Sequence, residues 1–172
     1  HGAEWHGKRA GSFGLAGTFS FQNSKAMTAG EGGIVITSDE DLASKARSIS
    51  NAGRWPDRGW FEHFELGTNM RLTAIQTAIL SKQLERLPVD IQRREENNVA
   101  FERELGGIDG LYLQESPAGA STQTRYLRPG RILEGAFGVD RNELVEAMNA
   151  EGIPVRPFYP HPLYGNALFN DH

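Results

Sequence analysis

Two hydrophobic periods alternate along this chain and divide it into elements. Thr18, Phe19 and Phe21 mark residues 13–21 as a predicted strand. The run Ile34-Val35-Ile36, within Gly33 to Thr37, predicts a second strand covered on both faces, because continuous β-branched residues need apolar neighbours on each side. Gly30-Glu31-Gly32-Gly33 reads as the turn before it. Ser38 is the expected N-cap of a helix reaching Ser50, with Asp39, Glu40 and Asp41 in the first turn, where carboxylates suit the helix dipole. Leu42, Ala46 and Ile49 share one side of it, and Asn51-Ala52-Gly53 closes it. Leu72, Ile75, Ile79 and Leu87 then recur at helical spacing and predict a helix over 72–87. Pro88 is expected to break it, and a mostly polar third helix follows to Leu105, where Gly106-Gly107 ends it.

The pattern shortens beyond that point. Leu111 to Leu113 and Thr124 to Leu127 are strand candidates, with Pro117 to Ser121 as a loop between them. Asp140 is the expected cap of a helix over 141–150, ended by Gly152, and Ile153-Pro154-Val155 leads into a Pro- and aromatic-rich tail. Residues 1–12 are polar and Gly-rich and read as a loop. Residues 54–68 are also loop-like; their Trp55, Trp60 and Phe61 are expected to form a buried aromatic cluster rather than a substrate or dimer surface.

Composition narrows the function classes. The net charge is -4 and the basic residues are mixed with acids, as in Gln92-Arg93-Arg94-Glu95-Glu96, so no nucleic-acid surface is expected. With no cysteine, thiolate metal sites, disulfides and cysteine nucleophiles are excluded, and a cytoplasmic location is permitted. No apolar run is long enough to span a bilayer, so no membrane partner is expected. The five histidines lie scattered, and no metal site is expected. The chain opens on His1-Gly2-Ala3 and stops after Leu168-Phe169, so both ends are expected to be cut from a longer protein.

One stretch carries chemistry. In Thr18-Phe19-Ser20-Phe21-Gln22-Asn23-Ser24-Lys25-Ala26-Met27-Thr28-Ala29-Gly30-Glu31-Gly32-Gly33, a strand ends, one lysine follows, and a Gly-rich turn leads to the next strand. A neutral lysine amine here could form an imine with an aldehyde. Ser20, near the strand end, could donate its hydroxyl to a phosphate. Alone, a lysine after a strand is ordinarily a surface residue, and Gly-Glu-Gly-Gly a common tight turn.

The flanking words change that balance. The segment resembles the cofactor-lysine segment of the DegT/DnrJ/StrS family of sugar aminotransferases: a Phe-Ser-Phe word, a lysine five residues after the serine, then Thr-x-Gly-Glu-Gly-Gly. His1-Gly2-Ala3, Gly11-Ser12-Phe13-Gly14 and Asn51-Ala52-Gly53-Arg54 also fit. So do Gly67-Thr68-Asn69-Met70-Arg71, with Gln76 and Gln83 after it, and Tyr159-Pro160-His161-Pro162-Leu163-Tyr164. Leu15, Ala26 and Met70 depart from residues frequent in the family, and about 115–135 matches poorly.

The resemblance implies an α/β fold: part of the large domain of fold-type-I pyridoxal-phosphate transferases over 1–88, a connecting helix over 89–106, and an incomplete small α+β domain over 107–172. It implies pyridoxal 5'-phosphate as cofactor, held covalently by Lys25, with Ser20 and, from a neighbouring subunit of a homodimer, Asn69 on its phosphate. His161 and Tyr164 are implied to border the substrate cleft. The implied reaction moves an amino group from glutamate or glutamine to a keto sugar, often nucleotide-linked, or to a keto-cyclitol. Relatives with histidine in place of the lysine are dehydratases, and Lys25 argues against that branch. A regulatory homologue of the same fold without catalysis is the alternative. The piece alone is expected to be inactive, since the family's pyridinium-binding Asp, its ring-stacking aromatic residue and its first phosphate loop lie upstream of His1.

Overall fold

The computed structural model describes residues 1–159 and 162–170. The chain divides into two compact units, His1–Asn98 with Ser116–Tyr126, and Val99–Glu115 with Leu127–His172.

In the first unit, β1 (Glu4–Trp5) and β2 (Lys8–Arg9) pair antiparallel. They occupy the segment expected to be loop. β3 (Ala16–Ser20) and β4 (Gly33–Thr37) form an antiparallel pair in which Ser20 lies opposite Gly33. Residues 21–32 are therefore the connection of a long hairpin. Ile34, Val35 and Ile36 are 44%, 50% and 38% exposed, which corrects the expectation of a strand covered on both faces. Among the described residues β4 pairs only with β3, so no second strand flanks the apolar run, and α1 is the helix that contacts it.

α1 (Glu40–Ser50) is capped by Asp39, whose carboxylate accepts from the Leu42 N–H at 2.8 Å. This moves the cap one residue beyond the expected Ser38, because Asp39 has the extended backbone and the reach to that donor. Ala52 (φ 58°) and Gly53 (φ 78°) turn the chain after α1, and Gly53 N–H donates to Ser48 O at 2.7 Å. Residues 67–70 then lie along the end of α1, with Thr68 N–H on Ile49 O and Met70 N–H on Ser50 O, both at 2.9 Å.

α2 (Ala74–Leu105) is one helix of 32 residues that runs through Pro88, where two helices were expected. Proline removes one intrahelical donor, and the long flanks on either side carry the helix across that loss. Leu80 and Leu87 on α2 are buried. Phe21, Met27 and Leu80 form the core cluster, with Phe19, Ala29 and Leu72 packed against it. Trp60 and Phe61 are 71% and 83% exposed, so the expected buried aromatic cluster does not form. Instead the Arg54 guanidinium lies 4.6 Å from the Trp60 ring centroid.

β5 (Leu111–Leu113) belongs to the second unit. β6 (Ala120–Thr122) belongs to the first and pairs with β1, giving the order β2-β1-β6. It replaces the strand expected at Thr124 to Leu127, where Arg125 has φ 44° and breaks the extended run. In the second unit β5 pairs antiparallel with β7 (Gly130–Ile132). Arg128 is held by Glu102 at 2.6 Å and by the Gln114 carbonyl at 2.7 Å. α3 (Arg141–Ala150) starts on a capping box in which Asp140 accepts from Asn142 and Glu143 N–H groups, and Glu143 accepts from Asp140 N–H at 3.1 Å. A 3-10 turn (Leu163–Gly165) and α4 (Ala167–Asn170) follow. No helix among the described residues is long and apolar enough to cross a membrane.

Candidate active site

The hairpin connection between β3 and β4 has its own skeleton. Phe21 N–H donates to Gly32 O at 2.8 Å, and Phe21 O accepts from Ala29 N–H at 3.0 Å and from the Thr28 hydroxyl at 2.8 Å. These bonds bring the two ends of the connection together and push residues 22–28 out as one loop. Phe21 and Met27, 5% and 7% exposed, anchor that loop in the core. At Gly32 (φ 138°) a Cβ would come within 2.6 Å of Leu72 Cδ2, so a side chain there meets both strain and a packed neighbour.

The loop is fixed to α2 at two points. Thr28 N–H donates to Gln83 Oε1 at 2.8 Å, and Gln76 Nε2 donates to Glu31 O at 3.0 Å. Gln76 also completes the start of α2. Its Oε1 accepts from Thr73 N–H at 2.9 Å, and Thr73 Oγ1 accepts from Gln76 N–H at 3.3 Å. This is the reciprocal Thr-x-x-Gln cap that leaves neither group orphaned.

Lys25 sits at the loop's crest, half-buried, with its N–H on Gln22 O at 3.0 Å. Gln22 N–H donates to Ser20 Oγ at 3.3 Å, and Gln22 Oε1 accepts from Ser24 N–H at 2.9 Å and from the Ser24 hydroxyl at 2.6 Å. Ser20 and Lys25 are thus joined through one glutamine. No carboxylate of the described residues pairs with Lys25; its Nζ instead lies 5.0 Å from the Tyr126 ring centroid. The imidazole of His1 stacks on Phe19 and Phe21 at 5.5 and 5.6 Å, roofing the strand end that leads into the loop.

Asn69 is exposed and stands apart from this loop, bridged to Asn51 at the end of α1. Its Oδ1 accepts from Arg71 N–H at 3.4 Å, and Arg71 Nη1 donates to Asn51 Oδ1 at 2.6 Å. Tyr164, 76% exposed, belongs to the second unit, and His161 lies outside the described residues. The structure therefore joins Ser20 and Lys25 through one loop, while Asn69 lies on another loop of the same unit.

Three contacts were missed in the sequence. Gln76 and Gln83 appeared only as members of a resembling word, and their bonds to the lysine loop cross 45 and 55 residues. Tyr126 carried no signal, since it reaches Lys25 only through the fold-back of Ser116–Tyr126 onto the first unit.

The available groups fit a phosphorylated aldehyde. Lys25 offers an amine with no competing carboxylate among the described residues. Among the described residues Ser20 Oγ accepts one bond and donates none, which leaves its hydrogen available for a phosphate oxygen.

Residues 1–172 match the family model described as the DegT/DnrJ/EryC1/StrS aminotransferase family. The L-glutamine:2-deoxy-scyllo-inosose aminotransferase of Streptomyces fradiae is 37% identical over 180 residues, covering 98% of this chain and 42% of that protein. The structure of DesV from S. venezuelae matches with a TM-score of 0.88 at 29% identity, over 99% of this chain and 44% of that one. The structure of E. coli GDP-4-keto-6-deoxy-D-mannose-3-dehydratase with bound hydrated PLP matches with a TM-score of 0.78 at 29% identity, over 99% and 46%. The chain spans about two fifths of the length of the curated relatives it matches.

Proposed function

The chain belongs to the DegT/DnrJ/EryC1/StrS aminotransferase family, whose members are pyridoxal-phosphate-dependent enzymes of fold type I, and on that premise we propose that the whole protein transfers an amino group from glutamine or glutamate to a keto sugar, often nucleotide-linked, or to a keto-cyclitol. The observation that carries this reading is Lys25, set at the crest of a loop whose base is core and whose flank is tied to α2, with no carboxylate among the described residues to hold its amine. The named relatives support the substrate class: one acts from L-glutamine on a keto-cyclitol, and a structural neighbour acts on a nucleotide-linked keto sugar.

Pyridoxal phosphate supplies an aldehyde that condenses with amines and a ring that takes up an electron pair. The chain's own residues do the rest. Lys25 Nζ would hold the cofactor covalently, and its amine, when free, would serve as the proton carrier of the site. Ser20 Oγ donates to the phosphate. Asn69 serves the phosphate of a partner subunit in a homodimer; its amide is a neutral donor that binds phosphate oxygens without changing their charge. Tyr164 and His161 border the substrate. Within the whole protein, residues 1–88 form part of the large cofactor domain, 89–106 the connecting helix and 107–172 part of the small domain. The enzyme works in the cytoplasm.

The test is chemical. Borohydride treatment of the full-length protein with cofactor should fix the cofactor on Lys25, seen by peptide mass, and Lys25→Ala should abolish both the adduct and amino transfer. Trapping on a different lysine would overturn the assignment.

A further inference from the structure

The segment Ser116–Tyr126 clusters with the first unit, although the residues before and after it belong to the second. Several bonds hold it there. Trp5 Nε1 donates to Ala118 O at 2.8 Å, His6 N–H to Gly119 O at 2.7 Å and Gly7 N–H to Ser121 Oγ at 2.7 Å. β6 within it pairs with β1 through Glu4 and Thr122 and through Trp5 and Ala120. At its far end Arg125 takes φ 44°, a left-handed value uncommon outside glycine, and its guanidinium donates back to Ser116 Oγ. The residue that this turn presents is Tyr126.

Its ring lies over Lys25, with Nζ 5.0 Å from the centroid. A lysine ammonium at that distance is attracted by the negative face of an aromatic ring. No carboxylate of the described residues competes for it. The Tyr126 hydroxyl makes no hydrogen bond among the described residues, so the ring and not the phenol is engaged. Backbone strain in a segment tied down at several points is often found beside functional groups. Here it turns a ring onto the one lysine that the loop displays.

Resting on the assignment of Lys25 as the cofactor lysine, we propose that Tyr126 is a positioning residue: its ring face holds the Lys25 side chain whenever the amine is free of the cofactor. A lysine stem has four flexible carbons, and without the ring the freed amine would range over many rotamers. With it, the amine stays close to the carbons between which it carries a proton. The ring donates and accepts nothing in the reaction; it limits where Nζ goes.

The experiment uses the full-length protein labelled with 13C at lysine Cε and stripped of cofactor, with the Lys25 signal assigned by its loss in Lys25→Arg. A ring face over the side chain displaces the Lys25 Hε protons upfield of the other lysines. That displacement is expected in the unsubstituted protein, is retained in Tyr126→Phe and is lost in Tyr126→Leu. With cofactor restored, Tyr126→Leu should lower kcat by about fivefold, the scale of one exposed cation–π contact, with the donor KM within about twofold, and Tyr126→Phe should restore it. If borohydride marks another lysine, the assignment of Lys25 fails and this proposal with it. If it marks Lys25, but the Lys25 signal is unshifted in the unsubstituted protein or unchanged by Tyr126→Leu, Tyr126 alone loses its role. Where Tyr126→Leu does not fold, an unshifted Lys25 signal in the unsubstituted protein still overturns the proposal.

Discussion

Gln76 Nε2 donates to the carbonyl oxygen of Glu31 at 3.0 Å, while the same side chain caps α2 through Thr73. The start of the long helix and the Gly-rich turn after the lysine are therefore one mechanical unit. Gln76→Ala removes both functions. It should lower stability by about 1–2 kcal/mol, as expected for a lost cap and one lost hydrogen bond. It should also speed amide exchange in residues 28–32, and hydrogen exchange with mass detection reads that directly. Unchanged exchange in the turn would break the link drawn here.

The second tie is more enclosed. Thr28 N–H and Gln83 Oε1 meet at 2.8 Å in a partly buried position. Gln83→Leu keeps the side chain's bulk and strands the Thr28 donor, a change that costs about 1–3 kcal/mol when a group is left unpaired away from water. Since Thr28 lies three residues after Lys25 in the same loop, the full-length variant should also release cofactor faster on dialysis. Stability and cofactor retention both equal to the parent would rule out this tie as a support of the loop.

The local parts of this fold were legible. Asp140 announced the start of α3, and Asn51-Ala52-Gly53 announced the end of α1. Family words singled out Lys25 and Ser20, and the hairpin links the two through Gln22. Long-range features were not legible. Pro88 gave a correct local signal, but a helix of 32 residues outweighs one missing donor. Residues 120–122 look like loop until β1 pairs with them, and Tyr126 gains its partner only through that pairing. The misplaced burial of Ile34, Val35 and Ile36 has a related cause: their pattern encodes two covered faces, and these residues meet only β3 among the described strands.

Asn69 lies on a different loop from Lys25, and the proposed homodimer would bring it to the partner's cofactor. Full-length Asn69→Ala and Lys25→Ala, each nearly inactive alone, should recover activity when mixed and reassociated, because a hybrid dimer then has one intact site. Up to about half of the parental site count is expected per hybrid, given two sites per closed dimer. Verified hybrids without activity would place Asn69 outside a shared site.

Gly53 is a structural position of another kind. It has φ 78°, and a Cβ there would fall 1.9 Å from Glu65 O, a backbone atom that cannot rotate away. Gly53→Ala should therefore destabilise the full-length protein by more than about 1 kcal/mol, the reverse of the gain seen where alanine fits the native backbone. Because residues 53 and 67–69 share the end of α1, the loss should extend to Asn69, seen as weaker retention of cofactor phosphate. A neutral urea midpoint for Gly53→Ala would show that this turn relaxes freely.

The last prediction concerns residues 1–172 by themselves. Ile34, Val35 and Ile36 lie in a two-stranded sheet with unpaired edges among the described residues, and Ile75, Ile79 and Leu84 on α2 are 75%, 43% and 58% exposed. An open strand edge beside apolar side chains recruits further strands from other chains, and exposed apolar area of this kind favours association. The isolated piece should therefore self-associate in light scattering at micromolar concentration, and with added cofactor it should show no amino transfer from glutamine or glutamate. Replacing Val35 with Lys, which places a charge on the open strand, should raise the soluble monomer fraction without creating activity. A soluble monomer from the unaltered piece would show that the exposed face is compatible with water. A monomer that also turned over would show that Lys25, Ser20 and their loop suffice for chemistry that is assigned above to the whole protein.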